Sequence, residues 1–342
     1  MKILHIANFG FNKQGAHFYC TDRKISAGLI ENGHFVYDFS FRDMARMGTI
    51  FKTKKLGANW ANKEVLKIVS NLEPDLVLIG HSDLMSPTVL KEIKQQFPKT
   101  KIAFWYVDPL YLEQKLGFVR EFSPYLDAIF CTTGGEYLQK LKQPNLKVAY
   151  FPNVGHSNVE ILKQFESTNI DKEFIFCGVI YKEPERETFL KELANTLQAH
   201  SLKYQYYGCF DQAGVYGKGY YKVLSEARMG LNYSRKNDVT LYSSDRIVQL
   251  TGNGLLTFSP RIPDFEKLYS EQEIVYFNDQ NDLAEKIKYY ADHPDEARKI
   301  AELGWSKTRH SFNAKRITQF MLEVTFDQPL SEAYEWAHEV YI

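Results

Sequence analysis

The run 243–258, SSDRIVQLTGNGLLTF, brings a serine pair, a guanidinium, a glutamine amide and two closely spaced glycines into one short stretch. It reads as a polar loop entering a brief helix near 246–251, halted by Gly252-Asn253-Gly254 and followed by an apolar strand at 255–258. A helix start carrying Arg246 beside Ser243 and Ser244 suits an anion. Gln249 lies one turn on, on the same helical face, and its amide can both donate to and accept from a hydroxyl. On residue types alone the run equally suits a plain helix-to-strand corner with glycines at the helix end.

Those residues need a scaffold, and the first half of the chain supplies a recognisable one. Short apolar runs at 2–8, 35–39, 76–80, 102–107, 128–132 and 148–151 alternate with helical patterns at 21–31, 63–71, 87–96, 112–122 and 136–142. That alternation predicts a Rossmann-like parallel sheet covered by helices on both faces. Ligands in such sheets meet the carboxyl ends of the strands, where Asn8, Lys13, His81, Asp83 and Asp108 fall. Asp108 precedes Pro109, which biases it to extended geometry. His81 could serve as a base or as an ordinary polar loop residue. The second half restarts the pattern, with strands at 173–177, 204–207, 229–233, 255–258 and 274–277 and helices at 185–199 and 219–227. Amphipathic helices follow at 283–291, 297–303 and 317–324, and Leu330, Ala333, Tyr334, Ala337, Val340 and Tyr341 share one stripe at helical spacing.

Composition narrows the function classes. At 342 residues two domains are expected. Lysine plus arginine equal aspartate plus glutamate at 42 each, which leaves no global pull toward nucleic acid. Cys20, Cys131, Cys177 and Cys209 are scattered without metal-like spacing and read as free thiols of a reducing compartment. No HExxH, P-loop or Asp-x-Asp motif appears, so the sequence implies no bound metal. With no signal-peptide pattern and no run near the roughly 20 apolar residues of a membrane span, the expected compartment is the cytoplasm. One segment breaks the charge balance. Residues 41–67 hold Arg42, Arg46, Lys52, Lys54, Lys55, Lys63 and Lys67 against Asp43 and Glu64, interleaved with Met44, Met47, Ile50, Phe51, Leu56 and Trp60. It reads either as a solvated loop or as a segment for an anionic membrane surface.

The order Arg246, two apolar residues, Gln249, then Gly254 and an apolar strand resembles the nucleotide-sugar signature of group 1 glycosyltransferases of the GT-B fold. More narrowly it is similar to the branch related to spore-coat maturation proteins, which usually carries Glu where Gln249 stands, gripping the donor ribose. Gly178 to Lys182 with Arg186 resembles that family's phosphate-meeting residues, and Gly230-Leu231-Asn232, Trp105 to Pro109 and Pro152-Asn153 resemble further segments of it. The resemblance implies two facing Rossmann-like domains, 1–153 for the acceptor and 154–328 for the donor, with a terminal helix at 329–342 crossing back to the first. It implies transfer of a sugar from a nucleoside-diphosphate donor, a co-substrate needing no other cofactor, held by Lys182, Arg186, Ser244, Arg246, Gln249 and Gly254. If configuration is retained the departing phosphate can take the acceptor proton; if it is inverted, Asp108, Asp83 and His81 are the candidate bases. The acceptor would be a glycan or a lipid-linked species of surface polysaccharide or lipopolysaccharide assembly, met by an enzyme peripheral to the cytoplasmic membrane face. A nucleotide-sugar epimerase and a catalytically silent nucleotide-sugar-binding protein are the alternatives, Gln249 in place of Glu favouring the latter.

Overall fold

The computed structural model describes residues 1–180 and 183–342, so Lys182 lies outside the described residues. The chain divides into two compact units, Met1–Val154 with Ala314–Ile342, and Gly155–Asn313. In chain order the first unit contributes β1 (Lys2–Ala7), α1 (Thr21–Glu31), β2 (Phe35–Ser40), α2 (Phe41–Met47), α3 (Ala58–Leu72), β3 (Leu76–Ile79), α4 (Pro87–Gln96), β4 (Lys101–Tyr106), α5 (Glu113–Phe122), β5 (Ala128–Cys131), α6 (Gly135–Gln139) and β6 (Lys147–Tyr150). The second contributes β7 (Lys172–Cys177), α7 (Pro184–Ala199), β8 (Tyr204–Tyr207), α8 (Gly217–Ser225), β9 (Ala227–Leu231), α9 (Arg246–Gly252), β10 (Leu256–Pro260), β11 (Val275–Phe277), α10 (Gln280–Asp292) and α11 (Pro294–Ser311). The chain then returns to the first unit as α12 (Ala314–Thr325) and β12 (Val340–Tyr341).

The first sheet runs β12-β6-β5-β4-β3-β1-β2 and is parallel except for β12, which pairs antiparallel with β6. Its central strands are apolar along their whole length because helices cover both faces: Leu76–Ile79 and Ala128–Cys131 are buried throughout. The second sheet, β11-β10-β9-β7-β8, is wholly parallel. Its core joins Phe174, Phe176, Met229, Leu231 and Phe258 to Leu190, Leu193 and Leu197 of α7 and Leu283 and Ile287 of α10.

Two sequence expectations need correction. The helix that returns to the first unit is α12, not the segment 329–342, and the second unit ends at Asn313 rather than near 328. Ile317, Phe320 and Met321 of α12 are buried, and α12 packs so closely on α1 that a Cβ at Gly28 would meet the Ala314 carbonyl at 2.2 Å. After α12, Asp327 adopts φ 55 and breaks the helical path. Tyr334 and Trp336 then pack edge-to-face with Phe320, centroids 5.0 and 5.6 Å apart, and Val340 pairs with Ala149. A helix of about a dozen residues is marginal by itself. The observed path instead buries the Trp336 ring and pairs backbone groups along the open edge of β6. The other correction concerns 41–62, where α2 and the first turns of α3 occupy sequence that had no helical reading: Phe41, Ala45 and Ala61 are buried beneath a charged outer face.

Candidate active site

The carboxyl end of β7 builds the first cluster. Immediately after Cys177 comes Gly178, and two guanidinium groups crowd it: a Cβ there would lie 2.8 Å from Arg246 Nη2 and 3.2 Å from Arg186 Nη2. Only glycine leaves that room. Arg186 comes from the first turn of α7 and Arg246 opens α9, and both lie over the Phe176 ring, 5.2 and 5.0 Å from its centroid. Backbone carbonyls fix their direction. Arg246 Nε donates to Cys177 O at 2.7 Å, and its Nη1 donates to Tyr233 O at 3.2 Å and to Ser244 Oγ at 3.1 Å. Arg186 Nη2 donates to the same Tyr233 carbonyl at 2.9 Å, and Nη1 to Glu183 Oε2 at 2.8 Å.

The loop between β9 and α9 is itself pinned. Asn232 donates through Nδ2 to Ser259 Oγ and accepts from Ser243 Oγ, both at 3.1 Å, and Ser244 N donates to Ser234 Oγ at 3.2 Å. These bonds hold Ser244 against Arg246 without help from a ligand. Glu183 is the carboxylate of the cluster and is already shared by Arg186 and Arg235, each at 2.8 Å. No carboxylate lies within ion-pair distance of Arg246 among the described residues, and burial together with the neighbouring Arg186 charge lowers its proton affinity. Arg186 also buries its Nε without a partner among the described residues. Two adjacent cations with so little local compensation form a receptor for an anion carrying several charged oxygens.

Gln249 is buried and engaged on both sides of its amide: Oε1 accepts from Tyr220 at 2.9 Å, and Nε2 donates to Asp245 Oδ2 at 2.8 Å. Its backbone carbonyl accepts from Asn253 Nδ2 at 2.8 Å. Gly254 lies past the opposite end of α9 from Arg246, with φ 77 and a position where a Cβ would meet Gln164 N at 2.8 Å. Its need for glycine therefore comes from the left-handed turn after the helix and from packing.

The first unit carries a second cluster, at the carboxyl ends of β1 and β3. His81 Nδ1 lies 3.2 Å from both carboxylate oxygens of Asp22, which also accepts from Asn8 N at 2.9 Å. Burial alone would raise the Asp22 pKa, but His81 and the Asn8 N–H outweigh it and hold the carboxylate below its ordinary range. Burial likewise pulls His81 down, and Asp22 overrides it to leave a net upward shift. His81 Nε2 has no partner among the described residues and the ring is partly exposed. Trp105 supports the ring edge-on, with centroids 5.0 Å apart, and its Nε1 donates to His5 Nε2 at 3.0 Å. Since tryptophan only donates, His5 Nε2 is the acceptor and its Nδ1–H donates to Ser26 Oγ at 2.7 Å. Burial depresses His5 to about 4, so it is neutral.

Of the candidate bases read from the sequence, His81 alone has this pairing. Asp83 is bound by Arg42 at 2.7 Å and Lys54 at 3.7 Å, and although burial opposes them these cations lower its pKa. Asp108 accepts from Lys115 at 2.6 Å and from the Tyr106 hydroxyl at 3.3 Å. Asp22 went unnoticed in the sequence, where an acid in the first turn of a helix looks like dipole compensation.

Residues 185–323, less than half of the chain, match the family model described as glycosyl transferase-like. No curated protein matches the sequence. Among solved structures, the sucrose-phosphate synthase of Thermosynechococcus elongatus superposes with a TM-score of 0.64 at 11% identity, over 96% of this chain and 98% of its own. The protein has the GT-B glycosyltransferase fold. The trehalose-6-phosphate synthase OtsA matches with a TM-score of 0.60 at 10% identity, covering 96% of this chain and 100% of its own. HepE of Anabaena, solved with UDP and glucose, matches with a TM-score of 0.53 at 12% identity, covering 96% and 100%. Within that fold the narrower likeness to the spore-coat branch remains one of motifs.

Proposed function

We propose that this GT-B protein transfers a sugar from a nucleoside-diphosphate donor to a hydroxyl acceptor, with the Arg186 and Arg246 pair meeting the donor diphosphate. The observation that carries the reading is that pair: two guanidinium groups fixed on one backbone carbonyl, with one carboxylate, Glu183, divided between Arg186 and Arg235 and none on Arg246 among the described residues. The leaving diphosphate gains negative charge as the glycosidic bond breaks, and prepositioned cations stabilise that charge most where it develops. Their charge compensation makes a bound metal unnecessary in this reading. His81 takes the acceptor proton at Nε2 while Asp22 holds Nδ1–H and steadies the imidazolium, which favours inversion over retention. Asp83 and Asp108 then act as ion-paired supports of their loops.

The membrane reading rests on a smaller patch than the sequence suggested. Arg42 pairs with Asp83, Arg46 with Asp43 and Lys67 with Glu64. Trp60 lies against Gly48, where a Cβ would meet its ring at 2.6 Å. What stands free is the tip 47–56, where Met47, Ile50, Phe51 and Leu56 are exposed beside Lys52 and Lys55. Among the described residues no helix is long and apolar enough to cross a membrane. We read the tip as a contact for an anionic bilayer that carries a lipid-linked acceptor of surface-glycan assembly.

Calorimetry with UDP, GDP and their glucose and mannose conjugates tests the donor assignment, UDP being the first choice because HepE was solved with it. Arg246→Ala should lower affinity for the bound nucleotide by about 1.5–3 kcal/mol, the range for a charged hydrogen bond, and lower the melting temperature of the free protein as well, because Cys177 O and Tyr233 O each lose a donor. Equal affinity in wild type and variant removes the assignment. EDTA should leave the transfer rate unchanged. Release of an epimerised sugar without acceptor would instead indicate an epimerase.

A further inference from the structure

At the free edge of the second sheet, where β8 has β7 alone as a neighbour, β8 and α7 flank an open groove of about 890 Å3. One wall is a stripe of α7 at helical spacing, Lys191, Ala194, Asn195 and Gln198. The other is formed by β8 and the turn after it. Here Tyr204 and Phe210, both half-buried, flank the buried ring of Tyr206, with successive centroids 5.3 and 6.0 Å apart. Gln205 and Gln212 add two more amides to the lining.

The polar groups of this groove are mostly amides, with one lysine. Asn195, Gln198 and Gln212 make no side-chain hydrogen bond within the described residues, while Gln205 uses one N–H on the Tyr206 carbonyl at 3.1 Å. The Tyr206 hydroxyl is buried without a partner among the described residues. No carboxylate lines the groove. Its lysine, Lys191, is already held by Glu187 at 2.6 Å and lies 5.7 Å from the Phe210 centroid. An anionic ligand therefore finds no free cation, and a cationic one finds no acid.

We propose that this groove is a binding site for a neutral oligosaccharide, separate from the residues assigned to the donor. Amides carry a donor and an acceptor side by side, matching sugar hydroxyls that are both donor and acceptor. The half-buried Tyr204 and Phe210 rings suit the apolar C–H faces of pyranose rings, and an open groove of this size takes several sugar units. None of Arg186, Ser244, Arg246 or Gln249 lines it. The proposal rests on the groove itself and is independent of the transferase reading. An extended peptide added to the β8 edge would depend on backbone pairing and be indifferent to the amides of α7.

The test uses saturation-transfer NMR and calorimetry on the full chain with cellohexaose, maltohexaose and xylohexaose as probes. At least one probe should bind at millimolar concentration or better. Asn195→Ala with Gln198→Ala, both on an exposed helix face, should weaken it at least tenfold, and Arg246→Ala should leave it unchanged. Tyr204→Ala should abolish saturation transfer to the ring protons, and Gln198→Trp should block the groove without removing a core group. No binding of any probe, or binding indifferent to the α7 substitutions, would overturn the proposal. So would binding lost in Arg246→Ala alone, which would transfer the sugar to the donor residues.

Discussion

Arg246 and His81 illustrate how much of this protein's chemistry is set by neighbours that a residue list does not contain. The upward shift of His81 comes from Asp22, from another strand-to-helix turn, and that dependence predicts the pH behaviour of transfer. Because the base must be unprotonated, kcat/KM should fall as pH drops through the raised His81 pKa. Asp22→Asn removes the charge that raises it, so the acid limb should move to lower pH and the plateau should also fall. His81→Gln should cost about 100- to 10,000-fold in kcat, the usual contribution of a positioned base. An acid limb that does not move in Asp22→Asn removes His81 from the mechanism. Gln249 makes the complementary case. The family resemblance assigns it to the donor ribose, but its amide bridges the Tyr220 hydroxyl and the Asp245 carboxylate. Gln249→Glu would set two carboxylates against each other where Nε2 now donates. The melting temperature should drop by an amount equivalent to about 1–3 kcal/mol, and Asp245→Asn in the same chain should recover most of it. Independent, additive effects would show that the two side chains do not meet in solution.

At the scale of elements, the strands were legible because a parallel sheet buried on both faces writes them as uninterrupted apolar runs. Residues 76–80 and 128–132 had no other plausible reading, and the structure has β3 and β5 there. Helix α2 was not legible, since Phe41, Ala45 and the buried Asp43 alternate with arginines over barely two turns, too few for a period to register. Asp43 is recruited by tertiary structure: it accepts from Phe11 N and the Ser40 hydroxyl at 2.8 and 2.6 Å. The terminal segment misled in the opposite sense. Its apolar residues do recur at helical spacing, but Trp336 and Tyr334 are used one at a time against Phe320, and Val340 and Tyr341 complete a sheet edge. Trp336→Ala should accordingly destabilise the first unit by about 3–5 kcal/mol, as for other buried aromatic truncations, seen as a lower urea midpoint. Were residues 330–341 an independent surface helix, the midpoint would hardly change.

Over the whole molecule, charge is balanced, so an attraction to an anionic bilayer must be local and its strength must come from few groups. Ion pairing inside the first unit removes Arg42, Lys54, Arg46 and Lys67 from the basic run read in the sequence; the first two losses are invisible without coordinates because Asp83 is remote in the chain, while Asp43 and Glu64 lie one helical turn from their partners. Lys52 and Lys55 at the tip and Lys63 on α3 remain, and each cation near an anionic surface contributes about 1 kcal/mol. Electrostatics alone then gives weak, salt-sensitive binding. The apolar tip has to supply the rest: Ile50 is 96% and Phe51 78% exposed, a large apolar area for a protein to present to water without use. Two classes of variant therefore separate the contributions in co-sedimentation with vesicles of mixed phosphatidylglycerol and phosphatidylcholine. Lys52→Glu with Lys55→Glu should abolish binding at low salt. Ile50→Ser with Phe51→Ser should reduce binding at every ionic strength while leaving its salt dependence intact, because the same cations still release the same counterions. Both pairs lie outside the buried core, so melting temperatures should match the wild type. Wild-type protein that stays in the supernatant at low salt, or sediments equally well with both substituted pairs, would assign the acceptor to bulk water and leave the exposed tip without a membrane role.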